Sequence, residues 1–261
     1  MTIAGSDSGG GAGAQADIKT FAALGVHGAS ALTCLTAQNP AGIRCVQATT
    51  PQVLKAQLET AFEGFSPAAC KTGMLFSSRR IAVVVEFLKA HRMPLVVDPV
   101  MIATSGARLL QPAAIQLLCR ELLPLATIVT PNLDEAEEIL RFPVRSEEDL
   151  RRAARAVRER FGCAALVKGG HLRGRREAVD IFFDGKTELL LSAPFVPGIS
   201  THGTGCTYSA AITAHLALGR LLPEAVTRAK EFITGAIAHS VRAGRHAVLN
   251  THYDLRRPGM S

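Results

Sequence analysis

Residues 127–135 read Thr127-Ile128-Val129-Thr130-Pro131-Asn132-Leu133-Asp134-Glu135, and residues 165–170 read Ala165-Leu166-Val167-Lys168-Gly169-Gly170. Each begins as a short apolar run and stops abruptly at polar or turn residues, the pattern of a strand buried on both faces. Between them lie two helical patterns, over 134–140 and 147–161. In the second, Leu150, Ala154, Val157 and Phe161 recur at helical spacing, with most of the arginines falling between them. Strand, helices, strand is the repeating unit of a parallel sheet.

The alternation continues outward in both directions. Towards the N-terminus the pattern predicts strands over 2–4, 27–37, 68–72 and 95–97. It predicts helices over 14–24, from Pro51 with Thr50 as cap, from a cap at Ser78 through Leu88, and over 112–122. Towards the C-terminus, 180–183 and 188–191 form a hairpin through Asp184-Gly185-Lys186-Thr187. Helices follow over 206–218 and 223–242. The expectation is one α/β domain over 1–250 and a loose polar tail over 251–261. In open parallel sheets, ligands sit beyond the carboxyl ends of the strands. Asp98, Asn132 and Lys168 each stand there.

Composition narrows the function. The 261 residues carry a formal net charge of +7. Much of the excess is arginine on the wet side of one helix (Arg151, Arg152, Arg155, Arg158, Arg160), and tryptophan is absent with only 2 tyrosines. A solvated face explains this better than a nucleic-acid surface with stacking platforms. No stretch of 18 uncharged apolar residues occurs, so no membrane partner is expected. The start, Met1-Thr2-Ile3-Ala4-Gly5, has no basic region of a signal peptide, and a cytoplasmic protein is expected. The 6 cysteines show no C-x-x-C pair or zinc-like spacing, which predicts reduced thiols.

Several motifs can do chemistry. Thr201-His202-Gly203-Thr204-Gly205-Cys206 precedes a helix, so its main-chain amides and the helix dipole can converge on an anion. An ordinary glycine-rich helix start fits equally well. A helix N-terminus lowers a thiol's pKa, so Cys206 is expected to accept a proton from an alcohol or hold it in line; a small buried thiol is the plainer alternative. Gly5-Ser6-Asp7-Ser8-Gly9-Gly10-Gly11-Ala12-Gly13 is a second glycine turn. It matches neither a dinucleotide fingerprint nor a Walker A loop, and reads as a flexible loop admitting a small flat substrate. Asn132 to Glu135 can hold hydrated magnesium through oxygens, or simply cap a helix. Lys168 can meet a nucleotide phosphate, or be a surface lysine. Together these describe a kinase without a P-loop.

The motifs resemble those of the hydroxymethylpyrimidine/phosphomethylpyrimidine kinases of thiamine synthesis. The likeness runs through Thr2–Gly13, Gln15-Ala16-Asp17, Thr36-Ala37-Gln38-Asn39, Lys71-Thr72-Gly73-Met74-Leu75 and Asp98-Pro99-Val100-Met101. It continues through Thr130-Pro131-Asn132-Leu133, Lys168-Gly169-Gly170-His171 and His202-Gly203-Thr204-Gly205-Cys206-Thr207. The resemblance implies a ribokinase-like three-layer α/β/α sandwich with a mostly parallel central sheet. It implies ATP and Mg2+ as cofactors. The implied reaction is phosphorylation of 4-amino-5-hydroxymethyl-2-methylpyrimidine, and then of its monophosphate, by a homodimer.

By motif match, Gly203, Gly205 and Cys206 carry the anion hole, with Cys206 where many relatives have an aspartate. Gln38 faces the aminopyrimidine edge, with Gly5, Asp17, Met74 and Val100 around the ring. Asp98 and Glu135 serve the metal. Asn132, Glu135, Lys168 and Thr201 serve the nucleotide. A vitamin B6 kinase is the first rival; a catalytically silent pyrimidine sensor is the second. The segment Gly244–Asn250 keeps little of the family pattern, and no site is assigned there.

Overall fold

The computed structural model describes residues 1–102, 109–170, 172, 177–196 and 202–254. Among these, the strands are β1 (Thr2–Asp7), β2 (Ser30–Asn39), β3 (Gly42–Ala48), β4 (Cys70–Thr72), β5 (Leu95–Val97), β6 (Ile128–Val129), β7 (Ala164–Lys168), β8 (Glu177–Phe183) and β9 (Glu188–Pro194). They form one sheet in the order β3-β2-β1-β4-β5-β6-β7-β8-β9. The six strands from β2 to β7 in that order are parallel; the antiparallel strand β3 flanks them at one edge, and the antiparallel hairpin of β8 and β9 at the other.

The helices are α1 (Gly13–Ala23), α2 (Pro51–Phe65), α3 (Ser78–Ala90), α4 (Pro112–Leu117), α5 (Leu133–Leu140), α6 (Glu147–Phe161), α7 (Thr204–Ala217) and α8 (Leu222–Ala238). They cover both faces of the sheet, and the strands show why. Leu95 and Val97 of β5 join the core that buries α2 to α6, whereas Val96 joins the core beneath α7 and α8. In β7, Ala165 and Val167 face the first core, and Ala164 and Leu166 the second. With both faces buried, apolar residues cannot alternate with polar ones, so the strands read as unbroken runs. Each fully buried Leu or Val contributes roughly 1.5–3 kcal/mol. Polar side chains at the carboxyl ends of these strands, such as Asp98 and Lys168, are left to face the space beyond the sheet.

Local rules explain most helix boundaries. Thr50 Oγ1 accepts from the Val53 amide ahead of Pro51. Ser146 and Asp149 form a capping box for α6, which Gly162 closes at φ +75°. The α6 stripe of Leu150, Ala154, Val157 and Phe161 is buried as expected. On its wet side Arg151 and Arg155 pair with Glu188 of β9.

Several elements differ from the sequence expectation. The residue before α3 is Ser77, not Ser78, and its hydroxyl accepts from Arg80 instead of capping. Helix α4 passes after Leu117 into a π turn (Leu118–Leu122) and a 3₁₀ turn (Leu123–Leu125), where Pro124 has no amide to continue an α ladder. Helix α8 stops at Ala238 rather than 242. The chain then turns at Gly244 to pair β10 (Val241–Ala243) with β11 (His246–Val248). Strand β3 is also absent from the sequence expectation. The start of the tail is not loose: Tyr253 stacks on His239, with ring centroids 5.2 Å apart, and lies against Gly235 of α8. Among the described residues, no helix is long and apolar enough to cross a membrane.

Candidate active site

A cavity of about 560 Å³ opens above the carboxyl ends of the parallel strands. Strand order lays out its walls. On the β2, β1 and β4 side stand Gln38, Gly5 and Met74; on the β5, β6 and β7 side stand Asp98, Val100, Asn132, Glu135 and Lys168. Gly203, Gly205 and Cys206 at the start of α7 line the same cavity. Residues drawn from six strands and two helices therefore meet in one space. Thr201 lies outside the described residues.

The polar centre is built on Asp98, which is 3% exposed. Its Oδ1 accepts from Lys168 Nζ at 3.2 Å and Thr130 Oγ1 at 3.4 Å; its Oδ2 accepts from Ser209 Oγ at 3.3 Å. Burial pulls the Lys168 ammonium down, but the charges of Asp98 and Glu135 outweigh it, and its pKa stands above the usual lysine value. Lys168 is therefore a cation at neutral pH. Burial pushes the Glu135 carboxyl up, and the charge of Asp98 adds to that; Lys168 pulls the other way.

Asn132 and Glu135 form a capping box at the start of α5. The Asn132 side chain accepts from the Glu135 amide, and the Glu135 carboxylate accepts from the Asn132 amide, each at 2.9 Å. Glu135 also accepts from the Met101 amide at 3.2 Å. Both residues thus cap a helix and line the cavity. Among the described residues, no group of three or more His, Cys, Asp or Glu is arranged to hold a metal by itself. Two carboxylates beside a phosphate-bearing ligand are nonetheless the hard oxygen set that hydrated magnesium takes.

The two glycine turns differ. Gly203 begins α7 at φ +82°, no side chain caps that helix start, and no acidic residue occupies its first turn. This turn lines the cavity, and among the described residues no side chain caps its amides, which makes it a place where an anion can be held. In the N-terminal turn, Asp7 has filled the space. Its carboxylate accepts from the amides of Gly9 (2.8 Å), Gly11 (3.1 Å) and Ala12 (2.8 Å). His202 Nε2 lies 3.1 Å from the same carboxylate. Burial works against the Asp7 charge, but His202 and the amides of Gly9 and Ala12 overcome it and hold the carboxyl below its ordinary range. The slack loop read from the sequence is a loop ordered around its own anion.

Two further expectations need correction. Asp17 does not line the cavity. It is fully buried, 2.7 Å from Lys71 Nζ, and accepts from Thr2 Oγ1 at 2.6 Å. Its carboxylate is occupied by β1 and β4 instead of facing a ring. Cys206 is not acidified. Burial pushes its thiol up to about 11, against the smaller pull of Lys71 and the Gly13 main chain. At neutral pH the residue is a thiol. Val100, on the cavity wall, holds its backbone at φ +39°, a conformation β-branched residues rarely adopt.

Sequence reasoning also missed Asp7, Lys71, Thr130 and Ser209. Only Asp7 carried a local signal, an acidic residue two and four positions before glycines.

The phosphomethylpyrimidine kinase family model matches residues 7–251. The chain belongs to this family. It is 47% identical over 243 residues to the hydroxymethylpyrimidine/phosphomethylpyrimidine kinase of Rhizobium meliloti, covering 93% of this chain and 91% of that one. It is 46% identical over 237 residues to the enzyme of the same name from Streptomyces coelicolor, covering 91% and 87%. Among solved structures, an ADP complex of Bacillus subtilis pyridoxal kinase superposes with a TM-score of 0.89 at 38% identity, covering 96% of each chain. A phosphomethylpyrimidine kinase from Clostridium difficile gives 0.81 at 44% identity, covering 90% of this chain and 97% of that one. These likenesses bear out the ribokinase-like expectation for the fold. The chain is a kinase.

Proposed function

We propose that this kinase transfers the γ-phosphoryl group of ATP to the hydroxymethyl group of 4-amino-5-hydroxymethyl-2-methylpyrimidine, and then phosphorylates the monophosphate to the diphosphate. One observation carries the reading. Gln38, an amide able to match an aminopyrimidine edge, shares a single cavity with the open amide turn at Gly203–Cys206.

In this reading the Gln38 amide pairs with the ring edge, and Met74 and Val100 flank the ring faces beside Gly5. Cys206 receives the hydroxyl. As a neutral thiol it is a poor base, so its work is to orient the oxygen. The transition state of phosphoryl transfer is loose, so the hydroxyl need not lose its proton before attack. Charge on the migrating group falls to the amides of the α7 start and to Lys168, preorganised donors that need no rearrangement during reaction. Asp98 and Glu135 would hold Mg2+ on the nucleotide phosphates, with Asn132 beside them. Bound there, the metal neutralises phosphate charge.

The pyridoxal kinase of Bacillus subtilis, at a TM-score of 0.89, favours a second reading, a vitamin B6 kinase. A coupled ATP-consumption assay with the hydroxymethylpyrimidine, its monophosphate and pyridoxal side by side separates the two. Turnover of both pyrimidines, with diphosphate as final product, is the expected result. Turnover of pyridoxal without turnover of the monophosphate would replace this reading with the second.

A further inference from the structure

The contact between the two glycine turns has no role in the chemistry above. Asp7 Oδ2 accepts from Gly11 and Ala12 in the first turn and meets His202 Nε2, from the residue before Gly203, at 3.1 Å. The turns are also packed against each other. A Cβ at Gly11 would lie 2.9 Å from the His202 ring, and one at Gly203 would lie 1.8 Å from the Gly11 carbonyl oxygen. From Asp7 the network runs back to the ring side. Ser8 Oγ donates to the Gln38 carbonyl at 2.8 Å and accepts from the Gln38 amide at 2.9 Å. Thr36 Oγ1 donates to the Ser6 carbonyl at 2.7 Å. Asp7 thus sits between two neighbours tied to β2, while its own carboxylate reaches a residue 195 positions away.

We propose that Asp7 and His202 are positioning residues: the carboxylate serves as a resident anion that shapes the first glycine turn and, through His202, sets the distance between the Gln38 wall and the phosphoryl-holding turn. Both line the cavity, and in this assignment neither bonds to the reacting atoms. The geometry they fix is the separation of acceptor hydroxyl and migrating phosphoryl, to which transfer rates are steeply sensitive. The inference rests on the assignment of the two walls under the proposed function.

The test compares kcat and KM for the hydroxymethylpyrimidine in His202→Ala, His202→Gln, Asp7→Ala and the double variant Asp7→Ala/His202→Ala, with melting temperatures alongside. His202→Ala is expected to lower kcat by about tenfold or more while KM moves less than about threefold, because ring contacts survive and alignment does not. His202→Gln, whose amide can still donate to Asp7, regains most of the rate. Added formate, entering the emptied turn, restores part of the kcat of Asp7→Ala but none of that of His202→Ala. The double variant is no worse than the poorer single one, as expected for coupled residues.

Wild-type kcat in His202→Ala, full additivity in the double variant, or kcat and KM losses that merely follow melting temperature would each overturn the proposal. Should the Asp7 variants fail to fold, the His202 pair decides. An inert wild type would remove the functional reading instead. The clasp is then read from amide exchange at Gly9, Gly11 and Ala12, which His202→Ala must accelerate.

Discussion

Two glycine turns face the same cavity, and they have opposite fates. The one at Gly9–Gly13 closes on the carboxylate of Asp7; the one at Gly203–Gly205 is left open. Similar composition therefore does not make both of them phosphate cradles. The deciding factor is whether the chain brings its own anion. The same distinction separates the two buried lysines. Lys71 is sealed on Asp17 with both side chains at 0% exposure, whereas Lys168 pairs with Asp98 at the cavity edge and keeps 14% of its side chain accessible. Of these two lysines, the sealed one should govern stability and the accessible one turnover.

The sharpest way to break this contrast is at the sealed pair. Lys71→Met leaves Asp17 buried without a cation, and the expected cost is about 3–5 kcal/mol in chemical denaturation. Replacing both residues with apolar side chains of similar size should recover most of it. An unaltered denaturation midpoint in the single variant would show that the pair is not sealed.

Gly203→Ala strikes the open turn. Its Cβ would lie 1.8 Å from the Gly11 carbonyl oxygen, at a φ of +82° that alanine resists. The expected loss is about 10²–10³-fold in kcat/KM, the scale of a lost oxyanion donor. Gly205→Ala sharpens the same point more gently. A Cβ there meets Lys168 Nζ at 3.2 Å, the far end of a flexible side chain. Melting temperature should hold while kcat falls by about tenfold as Lys168 is displaced. A fall in melting temperature without loss of rate would assign this turn to structure.

Cys206 gives the smallest effect. Cys206→Ala should lower kcat by no more than about tenfold, because the thiol orients and does not deprotonate. The pH dependence follows from the direction of the shift. A thiol whose pKa is raised stays protonated through neutrality, and its thiolate fraction grows only as pH approaches about 11. Site-resolved alkylation of Cys206 should be slow at neutral pH and climb towards that value. Fast alkylation near neutrality would restore a base to the site.

The sequence exposed what depends on short range. The strand runs at 95–97 and 165–167, the capping of α2 by Thr50 and the apolar stripe of α6 all follow from neighbours within a few positions. The polar residues at strand ends, Asp98, Asn132 and Lys168, were visible for the same reason, whereas only the family resemblance placed Gln38 in one site with them and Cys206. What was hidden depends on distant partners. Asp17 looked available until Lys71, 54 positions on, took its carboxylate. The helix-start rule predicted an acidic Cys206, but loss of solvation around the thiol overrode the dipole. Strand β3 is an outer strand with no buried residue, so its apolar signal was thin.

Val100 carries one more consequence. A β-branched residue kept at φ +39° stores roughly 1–3 kcal/mol that the rest of the molecule must absorb. Val100→Gly would release that tension and raise thermal endurance, while stripping a methyl-bearing surface from the cavity wall. Heat tolerance and choosiness towards ligands are thus coupled at one backbone torsion, and selection for the first would erode the second.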